Sequence, residues 1–362
     1  MHSRFLSSTA LALVTLLPLA ATAHTAPKPR FVTLPNHYRL APHNPSASLT
    51  QWSGSFTDLT GRQISYVMPG TNPNTTNTST TVSVVLVPIK MVYGSRNGNM
   101  TFDPNTHTVS NGKTVTQNTL ASPLFNAGID FNQGGTDLGN TQYIDAFQRG
   151  NFWSGVKTNT GYHVLLGTPT VAAEQTITVS RTYGRVINNP FGSGVVGEMD
   201  INAFDSKLQS FITSLSSQIN PGVLPIFITY NIYLTSHGSC CIGGYHSANG
   251  SQPSGQTYSY ATYVDSAGSF SQDVSALSHE IGEWMDDPFV DNHVNCTDNS
   301  IMEVGDPLEN ESNYGGYKYT LNGFTYNLQS LVFIGYFGAP RSTSVNSWLS
   351  FQNDESHVCP GQ

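Results

Sequence analysis

The 362-residue chain has few charged residues, because Asp, Glu, Lys and Arg together make up only 10% of it. Its 15 Lys and Arg residues are outnumbered by 23 Asp and Glu residues, and no segment concentrates the basic ones. Nucleic acids and anionic membranes are recognised through clusters of Lys and Arg. The sequence therefore argues against both as partners.

Two short motifs with defined chemistry are also missing. Without a G-x-S-x-G sequence, no serine nucleophile elbow supports an esterase. No C-x-x-C spacing occurs, which disfavours a cysteine-bound zinc ion. Disulfides form in exported proteins, and the N-terminal sequence described below predicts export. The four cysteines allow three pairings. We expect Cys240 and Cys241 each to pair with Cys296 or Cys359 rather than with each other.

Long apolar runs are confined to the N-terminus. Residues 1–4 are weakly basic, residues 5–20 are apolar, and Ala21-Thr22-Ala23 is an A-x-A cleavage site. This pattern predicts a signal peptide over residues 1–23. The apolar run is too short and too interrupted for a membrane span. We therefore expect a secreted, extracellular protein without a membrane span after cleavage.

The remaining chain predicts an α+β protein with two lobes. Residues 24–60 are poorly patterned and predict an extended leader. Residues 61–196 are rich in β-branched runs, which predict a mostly β lobe. Residues 197–362 change character: an amphipathic helix capped by Asp200, strands around a glycine-rich turn at residues 240–248, a second helix, and aromatic β-hairpins in the tail.

The second helix carries the most distinctive chemistry of the sequence. Residues 276–288 read ALSHEIGEWMDDP, with His279, Glu280 and Glu283 in an H-E-x-x-E pattern. Residues four apart share one helical face, so His279 and Glu283 are able to point at one metal ion with Glu280 beside them. Ser271 or Asp273 is expected to cap this helix. The alternative is a helix whose acidic face is solvated.

Further candidate ligands lie on both sides of this helix. Glu303 and Asp306 follow in MEVGD, and His246 precedes in CCIGGYHSA. If the turn bearing His246 faces the helix, a second histidine joins the site. That would restore the two-histidine zinc site with an open position that catalysis uses. The alternative for His246 is a turn residue hydrogen-bonded to backbone.

The H-E-x-x-E pattern followed by a glutamate twenty residues later resembles the zincin metallopeptidases of the HExxH…E type. The resemblance implies a zincin-like fold for residues 197–362, with His279 as first ligand, Glu280 as general base, Glu303 as third ligand and Asp306 as a nearby supporting acid. Glu283 stands where that family has its second histidine, which is a departure from the pattern.

A second resemblance covers residues 224–330. CxxGGYHS, SHEIGEW, EVGD and a Gly/Tyr-rich tail are similar to the phosphate-induced (EXORDIUM-type) secreted proteins and to bacterial secreted relatives. This resemblance implies an extracellular location and no settled enzymatic activity.

Three functions are consistent with the sequence. The first is a zinc peptidase in which Glu280 takes a proton from the attacking water, acting on a protein or peptide substrate. Two carboxylate ligands would neutralise a dication and weaken this chemistry, and they also suit manganese or calcium. The second is a non-catalytic extracellular binding or signalling module with a structural ion. The third is a carbohydrate-active protein with its acids paired across a cleft.

Overall fold

The computed structural model of the chain describes residues 31–37, 46–57, 63–126, 128–133, 136–151, 158–293, 301–302 and 316–329. Helices make up 15% and strands 41%, which confirms the α+β class. Residues 1–23, Glu303, Asp306, Cys296 and Cys359 lie outside the described residues. No helix within the described ranges combines the length and the apolarity that crossing a membrane requires.

Within these ranges the helices are α1 (Val115–Leu120), α2 (Tyr143–Asn151), α3 (Ile201–Ser214) and α4 (Ser275–Asp286). The strands of the first half are β1 (Gln51–Thr57), β2 (Gln63–Pro69), β3 (Thr80–Tyr93), β4 (Met100–Phe102), β5 (Ile129–Gln133), β6 (Thr136–Thr141), β7 (Val164–Leu166), β8 (Thr170–Val171) and β9 (Gln175–Val179). The later strands are β10 (Gly184–Asn188), β11 (Val195–Asp200), β12 (Val223–Tyr230), β13 (Ile232–Ser236), β14 (Ser239–Ile242), β15 (Gly244–Asn249), β16 (Gln256–Tyr263), β17 (Gly316–Leu321) and β18 (Phe324–Gln329).

An eight-stranded mixed sheet forms the centre of the fold. Its main path runs β15-β16-β12-β3-β4, and β7, β8 and β9 also pair with β3. The pairs β12·β3 and β12·β16 are parallel, and β15 joins β16 in the antiparallel direction at the end of this path. The apolar sequence of β12, VLPIFITY, is typical of a parallel strand covered on both faces.

This sheet crosses the expected boundary between the two lobes. β3 belongs to the predicted lobe of residues 61–196 and β12 to that of residues 197–362, yet Val85 pairs with Pro225 in a continuous ladder. β1 falls within the predicted leader and pairs with β2. In the aromatic tail the described residues 316–329 form an antiparallel hairpin, β17–β18.

Helix α3 begins as the sequence predicts. The Asp200 side chain accepts a hydrogen bond from the backbone N–H of Ala203 at 3.0 Å, and Ile201, Phe204 and Leu208 are buried. An aspartate at this position satisfies an amide that has no partner within the helix. The predicted capping role of Asp200 is therefore confirmed.

Helix α4 differs from its prediction in two respects. Every one of its residues is buried, so the alternative of a solvated acidic face is wrong. Its N-cap is Val274, without a side-chain cap, so neither Ser271 nor Asp273 plays that role. The Asp273 carboxylate accepts instead from the backbone N–H of Val274 at 2.6 Å and from that of Asn327 at 2.9 Å. It therefore connects the start of the helix to β18.

The disulfide prediction is wrong for Cys240 and Cys241, which are bonded to each other across a cis peptide bond. Successive side chains of a regular strand point to opposite faces. Here the register between β13 and β14 shifts by one residue: Leu234 pairs with Ile242, whereas the next residue, Thr235, pairs with Cys240. The bulge leaves Cys241 as an extra residue, so the regular alternation of side chains is interrupted at this pair.

Candidate metal centre

The edge strand β15 and helix α4 form the two sides of the candidate site. The glycine-rich turn expected at residues 240–248 is instead the end of β14 and most of β15, separated by Gly243. Alternate residues of a strand share a face, and Gly244 and His246 both face α4. The sheet therefore presents His246 to the helix from a rigid strand.

Gly244 makes room for the helix to approach. A Cβ atom at this position would lie 2.6 Å from Glu280 Oε1 and 2.7 Å from Glu280 Cγ. Real Cβ atoms do not come so close to a neighbour, so any side chain at Gly244 would force Glu280 or the strand to move. The glycine thus fixes how closely the Glu280 carboxylate lies to the sheet.

Three donor atoms converge between the strand and the helix. His246 Nδ1 lies 3.7 Å from Glu280 Oε2 and also 3.7 Å from Glu283 Oε2. One ligand atom from each of these three residues lies within 4.8 Å of the other two. The exposed fractions of His246, Glu280 and Glu283 are 0%, 0% and 1%. A histidine and two carboxylates therefore share one buried point.

A hydrogen bond on the side of the ring away from the glutamates fixes the orientation of His246. Its Nε2–H donates to the backbone carbonyl of Asp287 at 3.0 Å. A carbonyl oxygen only accepts, so in the neutral ring Nε2 carries the proton and Nδ1 presents a lone pair. That lone pair points towards the two glutamates. Metal-binding histidines are typically held in this way, with the second ring nitrogen bonded to a carbonyl or carboxylate.

His279 lies on the other side of Glu283. Its Nε2 is 3.1 Å from Glu283 Oε1, while Glu283 Oε2 faces His246. His279 is 4% exposed, and its ring stacks on Phe31 with centroids 3.9 Å apart. It is not one of the three residues that converge. Within the described residues, His279 is thus a neighbour of a candidate ligand.

The electrostatics of the cluster favour a cation at its centre. Two negative charges whose oxygens lie within 4.8 Å of each other repel, and burial adds a desolvation cost to each charge. A proton shared between them or a positive ion between them relieves both effects. The histidine lone pair makes the second solution better suited to this donor set, because a metal ion accepts the nitrogen as well as the oxygens.

The donor spacing fits an ion of ordinary size. Zinc binds histidine nitrogen and carboxylate oxygen at about 2.1 Å, so two tetrahedral ligands lie roughly 3.4 Å apart. The two distances of 3.7 Å are close to that value. Small side-chain adjustments would bring the three donors to bonding range, so the residues present fit a divalent ion.

The structure brings together three of the residues proposed from the sequence and adds two that the sequence did not single out. His246, Glu280 and Glu283 converge, while Glu303 and Asp306 lie outside the described residues. Phe31 and Gly244 were missed. The Gly243-Gly244 pair just before His246 was the available signal, since a glycine in a strand often marks a close approach.

Comparison with known proteins adds no relative to this picture. No protein-family model, no curated protein and no solved structure matches the chain.

Proposed function

We propose that this protein is a secreted metal-dependent hydrolase, with peptides as its substrate class. The observation that carries the proposal is the convergence of His246 Nδ1 with one oxygen each of Glu280 and Glu283 at a buried point. The resemblance of the H-E-x-x-E helix to the zincin peptidases supports the reaction class.

His246 and Glu283 are the residues best placed to hold the ion. Each has its second polar atom fixed by a neighbour: His246 Nε2 donates to the Asp287 carbonyl, and Glu283 Oε1 contacts His279 Nε2. Such outer contacts orient ligands and raise their affinity. His279 in this arrangement is a positioning residue that fixes the Glu283 carboxylate.

Glu280 is the proposed general base. A bound divalent ion supplies the Lewis acidity that polarises a carbonyl and acidifies water. A base for this chemistry must lie within hydrogen-bond reach of the water that it deprotonates. The Glu280 carboxylate faces the same point as His246 and Glu283. The absence of a side chain at Gly244 leaves the space that this carboxylate occupies.

Zinc is the proposed ion, because the proposed ligands His246 and Glu283, with Glu303 as the further ligand that the zincin resemblance implies, combine an imidazole with carboxylates. Manganese is the alternative, since two carboxylates and one histidine also suit a harder ion, and calcium is favoured only if further oxygen donors join.

A direct test compares the wild type with Glu280→Gln. Both proteins are loaded with zinc, dialysed, analysed for metal by elemental analysis and assayed against a peptide library. As a general base, Glu280 is needed for turnover and not for the ion, so the variant should retain one zinc per chain and lose hydrolysis. A wild type that binds no divalent ion contradicts the proposal.

A second candidate function is a non-catalytic extracellular module with a structural ion. The complete burial of the cluster favours it, because a structural ion is closed off whereas a catalytic one keeps an open position. Glu280 is then a third ligand, and Glu280→Gln should lose zinc and stability together. The metal content of this one variant separates the two functions.

A further inference from the structure

Residues 31–37 run along the outer side of β15, beside the candidate site. The backbone N–H of His37 donates to the Ala248 carbonyl at 2.8 Å, and the Ser247 hydroxyl donates to the Leu34 carbonyl at 2.9 Å. Phe31 lies beside Gly243, where an added Cβ would be 3.1 Å from the ring. The segment therefore follows β15 in the same direction in a nearly extended conformation.

The start of this segment covers the metal-site helix. The Phe31 ring stacks on His279, with centroids 3.9 Å apart and planes inclined at 23°. It also meets Phe270 edge-on at 5.5 Å. Phe31 itself is only 2% exposed. An aromatic side chain is thus bound in a pocket formed by α4 and the turn before it.

The end of the segment is attached by polar contacts. His37 Nε2 lies 3.0 Å from Asp205 Oδ2, and the Asn36 amide donates to the carbonyls of Gly250 and Phe289 at 3.0 Å each. Asp205 also accepts from the hydroxyls of Tyr245 and Tyr258 at 2.9 Å and 2.8 Å. In the described residues one backbone hydrogen bond, from His37, joins the segment to β15.

From these contacts we infer that the surface along β15 is a binding groove for an extended peptide with an aromatic side chain over His279, and that residues 31–37 occupy it as an intramolecular ligand. The inference rests on the proposed function for its consequence, which is that the metal centre is closed while the segment is bound. A fully paired strand is held by a ladder of backbone hydrogen bonds, whereas the described segment has one such bond to β15 and is otherwise held by side chains, with Phe31 in the core and Val32 and Leu34 packed against it. Another peptide of similar sequence is therefore able to replace it.

The inference also explains the burial that favours the structural-ion alternative. Phe31 covers His279 directly, and His279 contacts Glu283, so the start of the segment is separated from a proposed ligand by one side chain. Release of residues 31–37 would expose His279 and the adjoining groove without moving α4 or β15. We expect the site to become accessible from the His279 side after release.

The first experiment measures how fast a chromogenic chelator removes zinc from the loaded full-length protein. Phe31→Ala should accelerate removal on the order of tenfold relative to the wild type, since a stacked aromatic contact is lost. Phe31→Tyr keeps the ring and should behave as the wild type. Asn36→Ala weakens the other end and should also accelerate removal. Equal rates in all four proteins overturn the inference.

The second experiment does not depend on metal. A fluorescent peptide with the sequence FVTLPNH is added to metal-free wild type and to the Phe31→Ala/His37→Ala double variant, each confirmed as folded by thermal unfolding. Binding should occur only to the variant, and the peptide AVTLPNH should not bind. Failure of FVTLPNH to bind a folded variant overturns the inference.

Together the experiments separate this inference from the proposed function. A protein that binds no zinc, but whose double variant captures FVTLPNH, has the groove and lacks the metal chemistry. If the Phe31→Ala variant binds zinc and releases it fast but hydrolyses no peptide, the result contradicts the proposed hydrolase function and supports the peptide groove along β15. Hydrolysis that is equal in wild type and Phe31→Ala supports the hydrolase and contradicts the closure.

Discussion

Glu283 connects the two histidines of the candidate site: its Oε1 lies 3.1 Å from His279 Nε2 and its Oε2 lies 3.7 Å from His246 Nδ1. The contact with His279 is local, one turn along α4, whereas the contact with His246 depends on the packing of α4 against β15. The Glu283 carboxylate thus makes one contact that the helix geometry determines, with His279, and one that the packing of the helix on the sheet determines, with His246.

The two histidines are therefore expected to differ in their effect on metal binding. His246→Ala removes a proposed ligand and should abolish retention of zinc after dialysis. His279→Ala removes only the neighbour that fixes Glu283, and should weaken affinity by roughly 10–100-fold. Competition titration with a zinc chelator measures both. His107→Ala is the matched control, because His107 pairs with Asp265 at 2.7 Å outside the cluster. The reverse order, with His279 essential and His246 dispensable, would contradict the proposed ligand set.

The difference between the two contacts also explains which parts of the site the sequence revealed. The helical spacing of His279 and Glu283 and the Asp200 cap are local patterns, readable within one or two turns. His246 was ambiguous because its partner lies on a separate element. Nothing within residues 240–248 says that β15 will lie at the edge of the sheet against α4.

Other parts were beyond local reasoning for similar reasons. The burial of all of α4 could not be read from its own acids, because the surrounding elements and residues 31–37 decide it. The Cys240–Cys241 disulfide depends on a register shift between β13 and β14. The predicted lobe boundary near residue 197 lies between β3 and β12, which pair in parallel. Local sequence patterns do not reveal this pairing, because the two strands are far apart in the chain.

The close approach at Gly244 predicts a specific cost for a single methyl group. Gly244→Ala places Cβ 2.6 Å from Glu280 Oε1, so the carboxylate or the strand must shift. We expect destabilisation of about 1–3 kcal/mol, as is typical of overpacking in a buried region, together with weaker zinc binding. Urea unfolding and zinc titration measure the two effects. Gly128→Ala is the control, since a Cβ at Gly128 meets nothing within 4 Å. Unchanged stability and zinc affinity in Gly244→Ala would show that the site is looser than the structure indicates.

Asp273 predicts a dependence of stability on pH. Burial raises the pKa of its carboxyl to about 7, although hydrogen bonds from Asn327 and Val274 act in the opposite direction. The folded state therefore binds a proton between its unfolded pKa and about 7 that the unfolded chain has released. This contribution to stability is complete below the unfolded pKa and is lost as pH rises through the folded pKa, by roughly 1.4 kcal/mol per pH unit in that interval.

The measurement is urea unfolding of wild type and Asp273→Asn at several pH values from 4 to 8. The asparagine keeps an acceptor for the Val274 N–H and does not titrate. The free energy of unfolding of the wild type should fall relative to that of the variant as pH rises from 4 to 7. Parallel curves for the two proteins would show that Asp273 has an ordinary pKa.

His37 predicts a pH dependence of the bound segment itself. Its pKa is raised, first by the hydrogen bond to Asp205 and then by the charge of that carboxylate, against the opposing effect of burial. The attachment is therefore complete below the unfolded pKa of about 6.5 and weakens as pH rises through the folded pKa. Among the described residues, three other polar groups face the Asp205 carboxylate: the hydroxyls of Tyr245 and Tyr258 donate to its Oδ1, and the Gln209 side-chain N–H group lies 3.4 Å from Oδ1 and 3.3 Å from Oδ2.

An NMR titration of the histidine Cε1–H signals tests this relationship, with the His37 signal assigned by its absence in His37→Gln. The wild-type pKa should lie above 6.5, and Asp205→Asn, which keeps the size of the side chain and removes its charge, should lower it. Release of residues 31–37 at high pH would then appear as a lower protection factor of the amide at position 37 in the wild type, after correction for the intrinsic base-catalysed exchange rate, with no such fall in His37→Gln. If Asp205→Asn leaves the pKa of His37 unchanged, the ion pair does not hold the segment, and its attachment depends on Phe31, Asn36 and the hydrogen bonds with Ser247 and Ala248.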